Sequence, residues 1–498
     1  MRRRIERAVA PEFPENLRWL NVEEPLRLRH LRGRLVLLNF WTACCINCMH
    51  VIPELNQLAR SHSPELVVIG VHSPMCTAER EIEQLRLAVR RLGIEYPVVN
   101  DRDMRAWKAF EVQAWPTSIL IGTEGYVVAR LRGDGLLRAF DETIGGMIRD
   151  ATRSGGIERG PIGLTSTQAA RADGGLSFPG AILAHERSDR LFISDTGNNR
   201  IVVTGLDGEV LDVAGTGEVG FADGSFDEAS FSDPQGAALD GQMLYVADRG
   251  NHAIRRLDLG NRTVRTIAGT GRQAPAMIEP REGRLTDLSS PWDLEVVHHR
   301  LYITMSGLHQ IWRLDLHSGD LEVYAGGGAP GFLDGTRSTS ALAQPAGLSC
   351  DGIRLFFTDA GTSSLRWAYL PPGVQLGTWV GQGLFEYGDR DGIGREALLQ
   401  FPLGLVHHAG EIYVADTYNN RIKRFNPGSA RIETLLGAGV PGCEDGRQAA
   451  FNEPRDVSCA DGRLWIADTN NHAIRVAPLD GGPVSTLRLH PLERLRMT

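Results

Sequence analysis

Two cysteines separated by two residues, Cys45 and Cys48, are the side chains of this sequence best suited to do chemistry. They follow a strand-like run at 35–40 and open a predicted helix over 46–61. A dithiol on the first turn of a helix suits reversible thiol–disulfide exchange, because the helix N-terminus favours a thiolate. We expect Cys45 to be the exposed, attacking sulfur and Cys48 to be the shielded sulfur that resolves a mixed disulfide.

The same pair is also compatible with half of a zinc site or with a structural disulfide. A four-ligand zinc site needs two more ligands, and the sequence has no second CxxC and no nearby HxxxH. The remaining cysteines outside 44–48 are scattered singly, at positions 76, 350, 443 and 459, which is typical of free thiols in a reducing compartment. We therefore expect a redox-active dithiol with no metal and no cofactor.

Length and charge limit the other possibilities. A chain of 498 residues is too long for one ordinary core, so two or more domains are expected. The net charge of −8 argues against nucleic acid as the main partner, since phosphate binding needs clustered Lys and Arg. No run of 18 apolar residues occurs, and no apolar core follows the basic residues 2–4. We expect a cytoplasmic protein that binds neither membrane nor nucleic acid.

Residues 1–150 alternate strands and helices, which predicts an α/β domain with one mixed sheet. After the first strand and helix, the pattern predicts a strand at 66–71, a helix at 77–92 and a strand at 96–99. A short helix at 104–110 that Asp103 can cap, a hairpin of strands at 117–121 and 126–131, and a helix at 136–149 complete it.

This segment resembles a thioredoxin-fold domain at three landmarks. Residues 40–48, Phe-Trp-Thr-Ala-Cys-Cys-Ile-Asn-Cys, match a family motif Phe-Trp-x-x-Trp-Cys-x-x-Cys, and Pro53 stands where that family kinks its helix. Trp115 and Pro116 match the family's cis-proline loop, which faces the CxxC. The resemblance implies that Trp41, Trp115 and Pro116 shape a substrate groove beside the dithiol.

Three departures from the family pattern leave the direction of catalysis, reductase or oxidase, open. Cys44 stands where the family usually has tryptophan, Ile46-Asn47 replaces Gly-Pro or Pro-Pro, and Asn39 stands where some thioredoxins have a buried aspartate. We expect Cys44 to pack under the loop as an apolar residue, because a vicinal disulfide with its neighbour would distort the backbone.

Residues 151–175 are predicted to be a linker, and one pattern then recurs six times across 176–490. It reads Leu-Tyr-Val-Ala-Asp-x-x-Asn in its clearest copies, with its key position at Asp195, Asp248, Met305, Asp359, Asp416 and Asp468. A period of 52–57 residues, built from short β-rich runs, predicts a six-bladed β-propeller. The copies resemble NHL repeats. Because the aspartate recurs in nearly every unit, we expect it to accept backbone N–H groups in a turn rather than to be catalytic.

Three G-x-G-x-x-G segments, at 215–220, 326–331 and 437–442, lie between these units. A dinucleotide site needs this motif between a strand and a helix. Each segment leads instead to an Asp-Gly pair, and no helical pattern follows. We expect inter-blade loops and no nucleotide site.

The order of an N-terminal α/β thioredoxin-like domain and a C-terminal all-β NHL-type propeller resembles the NHL repeat-containing protein 2 family over nearly the whole chain. The combination favours a cytosolic thiol–disulfide oxidoreductase. The propeller loops would select a protein partner, and a disulfide-bearing protein or a small thiol would be the substrate. Two alternatives stay open: a redox-sensing or non-catalytic interaction scaffold, and a propeller enzyme with a metal in its channel. The isolated histidine pairs at 298–299 and 407–408 supply no obvious ligand set for the latter.

Overall fold

The structure is a computed structural model that describes residues 8–135, 137–160, 162–165, 175–275, 278–373 and 375–491, with the backbone alone at 137–139. The chain divides into two compact units, Met1–Ala170 and Arg171–Thr498. Each unit has its own hydrophobic cores. Within the described ranges, no helix combines the length and the apolar character that crossing a membrane requires.

The first unit has the thioredoxin-like fold that the sequence predicts. Its described elements are β1 Arg18–Leu20, β2 Leu35–Trp41, α1 Ile46–Ser61, β3 Leu66–His72, α2 Ile82–Arg91, β4 Val98–Asn100, α3 Arg105–Ala109, β5 Thr117–Ile121, β6 Val127–Arg132 and α4 Leu137–Arg153. The sheet order is β1-β4-β3-β2-β5-β6. Strands β2, β3 and β4 run parallel, and the other pairs are antiparallel.

Strand β2 is the centre of this sheet, and all seven of its residues are buried. Because side chains alternate along a strand, Leu35 and Leu37 pack with α1 and α2 on one face. Val36 and Leu38 pack with α3 on the other face. Two cores therefore fix the carboxyl end of β2, and three residues separate it from the Cys45–Cys48 segment.

Two local predictions in this unit are wrong. Helix α2 begins at Ile82 rather than at 77, because residues Ala78–Arg80 form a separate 3-10 turn. Asp101, not Asp103, holds the start of α3: its two carboxylate oxygens accept the N–H groups of Ala106 and Trp107, both at 2.8 Å. In each case a buried acidic side chain organises the turn.

Part of the predicted linker at 151–175 is attached to the first unit. Helix α4 extends to Arg153, the N–H of Glu158 donates to the Gly33 carbonyl at 2.8 Å, and Leu164 forms a β-bridge with Val22. Residues 166–174 of this predicted linker lie outside the described residues.

The second unit is the six-bladed propeller predicted by the repeat. Its described strands, blade by blade, are β7 Ala181–His185, β8 Arg190–Asp195, β9 Arg200–Gly205 and β10 Val210–Ala214; β11 Gly224–Ser225, β12 Pro234–Asp240, β13 Met243–Asp248, β14 Ala253–Asp258 and β15 Thr263–Ala268; β16 Pro291–Val297, β17 Arg300–Met305, β18 Gln310–Asp315 and β19 Leu321–Ala325; β20 Gly335–Thr336, β21 Pro345–Cys350, β22 Arg354–Asp359, β23 Ser364–Tyr369 and β24 Gln375–Val380; β25 Gly392–Ile393, β26 Leu405–His408, β27 Glu411–Asp416, β28 Arg421–Asn426 and β29 Arg431–Leu436; β30 Pro454–Ala460, β31 Arg463–Asp468, β32 Ala473–Pro478 and β33 Ser485–Thr486.

The repeated aspartate makes the turn that the sequence predicts. In five blades it is fully buried, and one of its oxygens accepts a backbone N–H at 2.6–2.8 Å, from Ser177, Ser232, Ala343, Gln400 and Asn452. The other oxygen faces a cation, as where Asp248 accepts from Arg255 at 2.7 Å. The third blade replaces both partners with buried apolar side chains, Met305 and Trp312. Such an exchange avoids leaving one buried charge alone.

A second repeated contact joins each blade to the next. The residue four positions after the aspartate has a left-handed backbone, and its side chain accepts an N–H from the residue before the next blade's entry proline at 2.9–3.1 Å. The acceptors are Asn199, His252, His309, Ser363, Asn420 and His472. His472 accepts from Phe178, so the sixth blade is fastened to the first by the same bond.

The C-terminal segment also spans this seam. Strand β33 extends the sixth blade, and His490 then pairs with the outer strand of the first blade, accepting the Val210 N–H at 2.8 Å. The segment after β32 therefore supplies contacts that close the ring.

Candidate functional site

The Cys45–Cys48 segment forms the start of α1, directly beyond the end of the central strand. Cys45 is the N-cap residue with an extended backbone, and its carbonyl accepts the N–H groups of Cys48 at 3.0 Å and Met49 at 3.1 Å. The partial positive charge of a helix N-terminus therefore lies at Cys45 and stabilises negative charge there.

Burial separates the two sulfurs. Cys45 is 8% exposed, less than the sequence interpretation expects, and Cys48 is 0% exposed. Burial, with the hydrogen bond between the two thiols, raises the pKa of Cys48 well above its usual value. Cys48 is thus a thiol in the resting dithiol state, and Cys45 is the more exposed residue of the pair.

The loop with Trp115 and Pro116 lies beside this segment, and its Trp115–Pro116 peptide is cis. Strand β5 begins at Thr117, which pairs with Phe40 at the end of β2, so the loop adjoins the start of the CxxC segment. Trp115 is half-buried, packs against the core that contains both sulfurs, and donates its indole N–H to the Ser73 carbonyl at 2.9 Å. Pro116 is buried.

Trp41, the third residue predicted to shape the groove, is fully buried. Its ring meets that of His72 edge-on, with 5.0 Å between the centroids, and its carbonyl accepts the Ser73 N–H at 2.9 Å. Because β2 is covered on both faces, the Trp41 side chain supports the site from beneath and presents no surface to a substrate.

Glu79 is a residue of the site that the sequence interpretation missed. It is 4% exposed and lies in the 3-10 turn before α2. One carboxylate oxygen accepts the Cys44 N–H and the other the Met75 N–H, both at 2.9 Å, and the Thr42 hydroxyl also donates to it. Glu79 thereby fixes the backbone immediately before Cys45.

Cys44 lies beneath the loop, as expected for an apolar residue, and is 2% exposed. Its sulfur is 3.7 Å from the Thr42 hydroxyl oxygen and 3.9 Å from the Met75 sulfur. Burial and the nearby Glu79 carboxylate raise the pKa of Cys44 well above its usual value. Cys44 is therefore held as a thiol.

The zinc interpretation of the CxxC finds no additional ligands. Among the described residues, no cluster of three metal-ligating His, Cys, Asp or Glu side chains includes Cys45 or Cys48. A structural tetrahedral zinc site needs four such ligands. The arrangement instead has the parts needed for thiol–disulfide exchange.

Comparison with known proteins gives matches for both units. A thioredoxin-like family model matches residues 33–127, and an NHL repeat model matches residues 451–477. The protein suppressor of quenching 1, chloroplastic, of Arabidopsis thaliana is 38% identical over 96% of this chain, which spans 47% of that protein. NHL repeat-containing protein 2 of Homo sapiens is 36% identical over 96% of this chain and 71% of its own length. The thiol-disulfide oxidoreductase ResA of Halalkalibacterium halodurans is 29% identical over 21% of this chain and 57% of its own length.

Proposed function

This chain belongs to the NHL repeat-containing protein 2 family, and we propose that it is a thiol–disulfide oxidoreductase whose reactive dithiol is Cys45 and Cys48. The observation that carries the proposal is the unequal pair: one sulfur at the helix N-terminus and one fully buried beneath it. Such a pair divides the work of attack and resolution.

The exchange proceeds in two steps. The Cys45 thiolate attacks one sulfur of a substrate disulfide, forms a mixed disulfide, and releases the other substrate sulfur as a thiolate. Cys48 then loses its proton to that leaving thiolate or to water and attacks the Cys45 sulfur, which releases the second substrate thiol. The protein becomes a Cys45–Cys48 disulfide and loses two electrons, and the substrate gains two. The reverse sequence oxidises a dithiol substrate.

The propeller would select a protein partner through its inter-blade loops. Five described connections that follow outer strands each present an apolar side chain that is more than half exposed: Val219, Leu285, Leu333, Phe385 and Val440. Each connection leads from the outer strand of one blade to the next blade. Apolar residues gathered on loops of a rigid frame are typical of a protein-binding surface. A disulfide-bearing protein would be the substrate, and the free cysteines suit a reducing compartment such as the cytoplasm.

Oxidised glutathione tests the dithiol chemistry on the full chain. In a Cys48→Ser variant, Cys45 should keep a bound glutathione, because no resolving sulfur remains; mass spectrometry of the peptides locates it. The unaltered chain should release the glutathione and form the Cys45–Cys48 disulfide. Every protein in this assay, including the one with both site cysteines intact, carries Cys443→Ser, which removes an exposed thiol outside the site. Equal labelling of Cys45→Ser and Cys48→Ser, or none, would contradict the proposal.

A redox-sensing scaffold is the second candidate, and the low exposure of both sulfurs favours it. A sensor would form the Cys45–Cys48 disulfide without turning over a substrate. Catalytic reduction of insulin by dithiothreitol, accelerated by the chain and abolished by Cys45→Ser, would support the oxidoreductase; disulfide formation without turnover would support the sensor.

A further inference from the structure

We propose that the third blade of the propeller carries a binding site for a divalent cation, best suited to zinc, formed by His299, Asp315 and His317. The three side chains come from two neighbouring turns, since His299 lies between β16 and β17, Asp315 ends β18, and His317 lies between β18 and β19. Both turns are at the same end of the blade, because successive strands run antiparallel.

The geometry already gathers the ligand atoms. One atom from each side chain lies within 4.8 Å of the other two. The Nε2 atom of His299 is 3.6 Å from Oδ2 of Asp315, and the two imidazole centroids are 5.1 Å apart. In a tetrahedral zinc site with bonds of about 2.0–2.1 Å, the ligand atoms lie about 3.3 Å from one another. Small rotations of exposed side chains close the remaining difference.

Asp315 is held so that one oxygen is directed at the histidine. Its Oδ1 accepts the N–H groups of His317 at 3.0 Å and Ser318 at 3.1 Å, which leaves Oδ2 facing His299. A carboxylate oxygen of this kind is a usual ligand of zinc.

The equivalent turn of the second blade has the same backbone contacts but a different partner for the second carboxylate oxygen. Asp258 makes the same turn, but its Oδ2 accepts the side-chain amide of Asn261 at 2.9 Å. In the third blade Ser318 replaces that asparagine, and its hydroxyl donates to Asp320 at 2.7 Å instead. The second and third blades thus share the carboxylate turn, whereas an Oδ2 that faces a histidine is found at Asp315.

The two histidines are equally particular to this blade. The positions of His299 and His317 are occupied by Gln242 and Gly260 in the second blade, and by glycine at both places in the fifth. Two neutral imidazoles and a carboxylate are a ligand set for zinc that leaves the fourth position to water. A bound ion would tie together two turns of the one blade whose buried aspartate–cation pair is replaced by Met305 and Trp312.

Calorimetric titration with zinc chloride tests the site on the full chain. Cys45 and Cys48 are replaced by serine, so that the dithiol cannot bind the metal and the outcome does not depend on the redox proposal. We expect saturable binding of one ion, weakened by at least about 10-fold in each of His299→Gln, His317→Gln and Asp315→Asn. Asp315→Asn should leave the turn intact, because Asn426 makes the equivalent turn in the fifth blade and accepts the Ser429 N–H at 2.8 Å.

His298→Asn is the matched control. His298 is an exposed neighbour outside the cluster, and asparagine tolerates its left-handed backbone. Its zinc affinity should stay within about 2-fold of the parent, well below one 10-fold step. Absence of saturable binding up to about 1 mM zinc, or an affinity that His299→Gln does not change, would overturn the site. A circular dichroism spectrum shared by all variants excludes misfolding as the cause of any loss.

Discussion

Replacing Glu79 by glutamine should loosen the loop before Cys45 while leaving its shape unchanged. The two carboxylate oxygens accept the N–H groups of Cys44 and Met75, both at 2.9 Å. Glutamine keeps one of these oxygens and puts an NH₂ group in place of the other. One buried N–H therefore faces another donor, and its hydrogen bond is lost.

A buried donor without an acceptor costs about 1–3 kcal/mol. If that cost falls on local opening of the loop, the affected amide should exchange its hydrogen about 5- to 150-fold faster, at about 1.4 kcal/mol per tenfold. The loss of negative charge beside Cys44 also lowers the pKa of its thiol, since the Glu79 carboxylate raises it. Cys44 should then react faster with iodoacetamide.

Hydrogen exchange followed by mass spectrometry on the full chain measures the first effect, in peptides that cover residues 42–49 and 73–80. Peptide mapping of alkylated cysteines measures the second. Glu83→Gln is the matched control, because Glu83 lies on α2 and its contact with Arg86 is on the surface. Unchanged exchange in both peptides of Glu79→Gln, with Cys44 as slow as in Glu83→Gln, would refute the role assigned to Glu79.

Three further predictions concern the propeller. Burial raises the pKa of Glu295 to about 8, above its unfolded value of 4.5. The contribution of this carboxyl to stability is therefore complete below pH 4.5 and is lost as pH rises through 8. Urea unfolding at pH 5 and pH 9 should show this loss in the parent and not in Glu295→Gln. Met305→Asp should destabilise the fold by about 3–5 kcal/mol, because a buried carboxylate gains no cation, and Trp312→Arg in the same chain should recover part of that loss. His472→Ala should cost about 1–3 kcal/mol by removing the acceptor for the Phe178 N–H, whereas His472→Asn should be nearly neutral, since asparagine makes this contact in two other blades.

Each of these has a result that contradicts it. An identical pH dependence of the parent and Glu295→Gln would mean that this carboxyl does not titrate as its burial implies. A double variant of Met305 and Trp312 no more stable than Met305→Asp alone would show that the two positions do not form a pair. Equal losses in the alanine and asparagine variants of His472 would show that the hydrogen bond does not decide its contribution.

The fold was predictable because its signals are local and repeated. The bounds of α1 and β5 follow from a helical period and a short apolar run, and the structure gives the same residues. Six copies of one turn predict six blades, since a side chain repeated at a fixed period makes the same contact each time. The role of Asp248 in its turn could be predicted for this reason.

The features that the sequence did not predict depend on contacts between residues far apart in the chain. The helix predicted over 77–92 gave Glu79 no role, but the residue lies in a 3-10 turn that buries its carboxylate against a loop 35 residues earlier. Trp41 was expected in the groove, whereas sheet neighbours cover it. His299 could not be paired with Asp315 from the sequence, because only the blade's strand register sets their turns side by side.

The reduction potential of the Cys45–Cys48 pair tests the central claim most directly. The full chain is equilibrated in glutathione buffers of known potential, trapped by alkylation, and each cysteine is read by mass spectrometry. Our account predicts one two-electron transition that links Cys45 to Cys48, with a midpoint between about −270 and −120 mV, the range of dithiol oxidoreductases. A pair that stays reduced across this range, or a disulfide that joins Cys44 to Cys45 instead, would contradict it.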